Sequence, residues 1–147
     1  MKKNLNKKTG FKEGDCIVYN LSEGVFGGAI VYQVNHNSGL DTYFFLITSI
    51  QSQTEPTLED FISSETFGRK EKNYLDDILL IWQKYLPDFE EHFKLIGNLN
   101  IVKNGYKLGA YRHQSTFDEF EFSISKLSEI DYMERASYPV QSFIASS

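Results

Sequence analysis

The chain has a single cysteine, Cys16, so no internal disulfide framework can hold it and its core must come from apolar packing. Cys16 sits in a strand-like run with no histidine or cation nearby to lower its pKa. It reads as a small buried hydrophobe rather than a nucleophile. Long hydrophobic runs are missing too. The longest, Tyr43 to Ile47 and Ile78 to Trp82, are far short of the roughly 20 residues a membrane helix needs. Met1 to Lys8 is basic but leads into no apolar stretch of signal-peptide length, and the expectation is a cytoplasmic protein without a membrane partner.

Positive charge is scarce beyond the N-terminus. The net charge is −5, yet the first 12 residues carry five lysines and no acid, which leaves −10 for the remainder. Such a body is repelled by phosphate backbones, so no nucleic-acid partner is expected. The lysine-rich start, residues 1–12, reads as a solubilising flexible tail.

Local signatures of catalysis are absent. His36, His92 and His113 fall in different segments and none has a partner at metal-binding spacing. Gly24-Val25-Phe26-Gly27-Gly28 lacks the lysine and hydroxyl of a phosphate loop, and no Gly-x-Ser-x-Gly elbow occurs. The adjacent carboxylates Asp76-Asp77, Glu90-Glu91 and Asp118-Glu119 diverge on either a helix or a strand and make poor acid–base couples. No catalytic residue, metal site or cofactor is expected, and the protein is read as a binder rather than an enzyme.

What the chain has in abundance is aromatic and β-branched residues, with 12 Phe and 9 Tyr. These suit one domain over residues 1–147, organised around a three-stranded antiparallel meander at 14–50. Gly14-Asp15 is a turn. Ile17, Tyr19 and Leu21 then share one face, and Cys16, Val18 and Asn20 the other. After the Ser22-Glu23-Gly24 turn, Phe26, Gly28, Ile30, Tyr32 and Val34 alternate with Val25, Ala29 and Val31. Gly27-Gly28 in mid-strand reads as a simple bulge. The third run, Thr42 to Ile50, contains the continuous apolar Tyr43-Phe44-Phe45-Leu46-Ile47 of a strand covered on both faces.

Residues 51–136 are expected to cover this meander with helices and further strands, leaving 137–147 as a tail. Thr57-Leu58-Glu59-Asp60 resembles a capped start for a short helix running to about Ser64 that buries Leu58, Phe61 and Ile62. Thr66 to Lys72 reads as a basic loop. Tyr74, Leu75, Ile78, Leu79, Trp82, Tyr85 and Leu86 recur at helical spacing and predict the main helix, stopped by Pro87. His92 to Ile96 alternates as a strand. Asn104-Gly105 signals a hairpin between Ile101-Val102 and Tyr106-Lys107-Leu108. A half-exposed strand is predicted over Thr116 to Ser125 and a closing helix from Ser128 to about Arg135. The fold class expected is therefore α+β: a strongly bent antiparallel sheet, or a partly open SH3-like barrel, covered by one main helix and shorter ones.

Gly14-Asp15-Cys16-Ile17-Val18-Tyr19-Asn20-Leu21, followed by Gly24-Val25-Phe26-Gly27-Gly28-Ala29-Ile30-Val31, resembles the opening of the immunity-protein 26 family of bacterial polymorphic-toxin systems. That family begins with a Gly-Asp turn, an apolar strand, and a glycine-containing second strand with an arginine, where this chain has Ala29. The likeness covers about the first 50 residues, with an echo at Phe93-Lys94-Leu95-Ile96-Gly97. It implies a cytoplasmic protein that binds and neutralises a cognate toxin, and it brings no catalytic residue with it.

An acidic body suits a partner with a basic cleft. The candidate interface comprises Asp76, Asp77, Glu90, Glu91, Asp118, Glu119 and Glu121, with Tyr111 as an aromatic anchor. The alternative is a small barrel holding a peptide or small ligand in an aromatic-lined groove, with Tyr19, Tyr32 and Tyr43 as its lining.

Overall fold

The computed structural model describes residues 10–21, 24–37, 40–70, 77–85, 92–103, 107–113 and 135–144. Three strands, β1 (Asp15–Leu21), β2 (Val25–Asn37) and β3 (Leu40–Ile47), form an antiparallel meander. Five more join it: β4 (Glu65–Lys70), β5 (Asp77–Tyr85), β6 (Phe93–Asn98), β7 (Lys107–His113) and β8 (Arg135–Pro139). The sheet runs β6-β1-β2-β3-β5-β4-β8, with β7 on β5. Every described strand pairing is antiparallel except β5 with β7.

This mostly antiparallel sheet overturns the expected α+β fold. The segment placed in the main helix Tyr74–Leu86 contains strand β5. Ile78, Leu79, Trp82 and Tyr85 fall at helical spacing, but Leu80 and Ile81 complete a contiguous apolar run, and periodicity does not separate a buried helix from a buried strand in such a run. Sheet partners decide the matter. Along one edge of β5, Leu46 to Thr42 of β3 pair with 81–85, and Lys70 to Gly68 of β4 pair with 77–79. Along the other edge, β7 pairs with 78–83.

Two neighbouring expectations fall for the same reason. The basic loop proposed from Thr66 is largely strand β4. Lys107-Leu108 belongs to β7, parallel to β5, while Ile101 bridges to Ile144, so the described flanks of the expected hairpin take other partners; Asn104-Gly105 lies outside the described residues. The predicted strand over 116–125 lies outside the described residues, as does the predicted helix from Ser128, except that Arg135 opens β8.

Both faces of the meander are buried. Cys16, Val18, Ile30, Tyr32 and Leu46 point to one side, where they meet Phe61, Leu99, Tyr138, Val140 and Phe143. Ile17, Tyr19, Ala29, Val31, Tyr43, Phe45 and Ile47 form the second cluster, against which Phe11, Val34, Phe67 and Phe93 pack. Val34 changes sides relative to simple alternation. The register slips between Val31 and Gln33, so Tyr32 is an extra residue and the parity of β2 reverses beyond it.

Gly27-Gly28 is not a bulge, since both pair in unbroken register with Tyr19 and Val18. It is a place of close approach on both faces: a Cβ on Gly27 would meet the Tyr19 ring and one on Gly28 the Phe61 ring. The Gly28 carbonyl accepts from Thr48 N at 3.0 Å, Thr48 Oγ1 at 2.7 Å and Tyr19 Oη at 3.3 Å.

The turn into β1 is fixed by Gly14, whose φ of +93° suits glycine and whose missing side chain makes room for the Leu99 carbonyl. The buried Asp15 carboxylate accepts from Lys12 N and from Asn98 Nδ2, each at 2.8 Å. Thus the turn is tied to the end of β6. At the far end of the chain, the residues read as a tail from 137 form most of β8 and then a 3-10 turn, Val140–Phe143, with Val140 and Phe143 fully buried. Val102 N donates to Phe143 O at 2.6 Å. The segments that follow β6 and β8, at opposite ends of the path β6-β1-β2-β3-β5-β4-β8, therefore meet. Among the described residues no helix is long and apolar enough to cross a membrane.

Candidate functional site

The polar segment from Gln51 to Glu65 contains four acids, Glu55, Glu59, Asp60 and Glu65, and no lysine or arginine. At its centre is the short helix α1 (Leu58–Ile62). Thr57 caps it: Asp60 N donates to Thr57 Oγ1 at 3.3 Å, and Thr57 N donates back to Asp60 Oδ2 at 2.8 Å. This capping box satisfies donors that a helix start otherwise leaves open. Glu59 and Asp60 in the first turn also complement the helix dipole.

Packing holds this helix in one orientation. Phe61 is buried over Gly28 and Leu58 lies against Gly97, so the apolar side of α1 spans β2 and β6. All four carboxylate residues are exposed. One described cation answers them: Lys94 Nζ stands 2.7 Å from Glu55 Oε2, with side chains 65% and 42% exposed. A pair so open to solvent contributes little to stability, and its Coulomb attraction leaves the negative character of the segment largely intact. What the arrangement offers chemically is a rigidly backed acidic surface.

The residues proposed from sequence are distributed differently. Asp77 opens β5, and Tyr111 falls in β7 at the register shift between Ala110 and Arg112. Asp76, Glu90, Glu91, Asp118, Glu119 and Glu121 lie outside the described residues. The three groove tyrosines are not brought together. Tyr19 and Tyr43 are buried in one cluster and Tyr32 in the other, none more than 2% exposed. Burial pushes the Tyr19 and Tyr32 hydroxyls up from their ordinary pKa, and Glu13 adds to the shift at Tyr32. Lys103 lies 5.1 Å from the Tyr32 ring centroid and 3.2 Å from Glu13 Oε2.

Cys16 is fully buried, with its thiol pushed up to about 12 by burial and, secondarily, by Asp15. Its Sγ donates to Gly14 O at 3.7 Å. A thiol so placed is chemically quiet. Among the described residues no group of three His, Cys, Asp or Glu side chains could hold a metal ion.

Sequence reasoning takes Glu59-Asp60 as part of a helix start and leaves Glu55 and Glu65 as single acids, so it does not assign them to an interface. The usable signal was the lack of any cation from 51 to 65. Scans against family models, curated proteins and solved structures give no match for this chain.

Proposed function

We propose that this protein is a non-catalytic, cytoplasmic binding protein, and specifically an immunity protein that neutralises a cognate polymorphic toxin through an acidic surface. The observation that carries the reading is the exposed Glu55, Glu59, Asp60 and Glu65 set, displayed on a segment anchored by Phe61 and Leu58. A surface of one sign, mounted on packed structure, steers a basic partner and fixes its orientation at little entropic cost. The resemblance over about the first 50 residues suggests the class of partner. Asp76, Asp77, Glu90, Glu91, Asp118, Glu119 and Glu121 are the further interface candidates that the sequence offers. The aromatic-groove reading has less support, because its three tyrosines are buried on opposite faces.

The deciding experiment is bacterial co-expression with the toxin domain encoded beside this gene, followed by calorimetry of the purified pair. Restored growth with 1:1 binding that weakens as salt is added is the expected result. A pair that neither restores growth nor binds would overturn the proposal.

A further inference from the structure

We draw no further inference here: the strongest candidate, the side of edge strand β6 on which Leu95 stands half-exposed, has β1 as its single strand partner among the described residues, and nothing in the structure shows what covers it.

Discussion

The Tyr19 ring fills the space that a side chain on Gly27 would need: a Cβ there would stand 2.5 Å from Tyr19 Cε1, although the two residues are direct partners across β1 and β2. Gly28 stands in the same relation to Phe61 on the opposite face, at 2.6 Å from Cζ. Neither ring end is a flexible chain that can swing away, so Gly27→Ala and Gly28→Ala should each cost about 1–3 kcal/mol through overpacking. Urea unfolding would show it as a lower midpoint at unchanged slope. Midpoints equal to wild type would mean that the rings are not held where they lie.

The capping box at Thr57 carries a helix of only five residues. Thr57→Ala removes the acceptor of the Asp60 amide and should cost about 0.5–2 kcal/mol, while Thr57→Ser should stay near wild type. Equal losses for both would shift the cause from the hydroxyl to the methyl group.

Phe143 is fully buried and meets the Tyr32 ring edge-on, with centroids 6.3 Å apart. Phe143→Ala should therefore cost about 3–5 kcal/mol. Exposed Gln141, two residues earlier, should tolerate alanine. If thermal unfolding found both substitutions neutral, residues 140–143 would not belong to the core.

Alkaline pH should weaken the fold. The Cys16 thiol moves from 9.0 to about 12 on folding, so the native state holds this proton more tightly than the unfolded chain does. Its contribution is complete below about pH 9 and is lost as pH rises toward 12. Tyr19 and Tyr32, also raised, act in the same direction. Denaturant titrations from about pH 8 to pH 11 should show a smaller decline for Cys16→Ala than for wild type. Parallel declines would contradict the assignment to Cys16.

For the proposed complex, Glu59→Lys together with Glu65→Lys should slow association about tenfold at low salt and flatten its salt dependence, with dissociation less affected. Both side chains are exposed, so the fold should be retained. Stopped-flow mixing with the toxin domain provides the measurement. An unchanged association rate would remove this segment from the interface.

Local chemistry was legible where it was self-contained. Alternation over Cys16–Leu21 names the face of Ile17, Tyr19, Cys16 and Val18. The continuous apolar run Tyr43–Ile47 announces a strand covered on both sides, and Thr57 with Asp60 announces a helix start. His92–Ile96 likewise reads as the strand that β6 is. Legibility failed where the answer lay in a distant partner. Ile78, Leu79, Trp82 and Tyr85 have the spacing of a helix, and only strands β3, β4 and β7 make the segment a strand. Of the candidate site, one residue in an adjacent-acid pair, Asp77, can be placed. The described acidic surface comes from acids that local reading assigns to a helix start, Glu59 and Asp60, or leaves single, Glu55 and Glu65.

The sequence by itself determined an acidic body, an aromatic core without disulfides, and the two-faced burial of the meander, because these depend on composition and on the two-residue period of a strand. Only the tertiary structure decided that β5 is a strand and that Val34 changes face at the Tyr32 bulge. It alone set the rings of Tyr19 and Phe61 over two consecutive glycines, and it alone brought Ile144 to Ile101 to join the ends of the sheet. Each of these outcomes depends on contacts between residues far apart in the chain, and no local propensity contains that information.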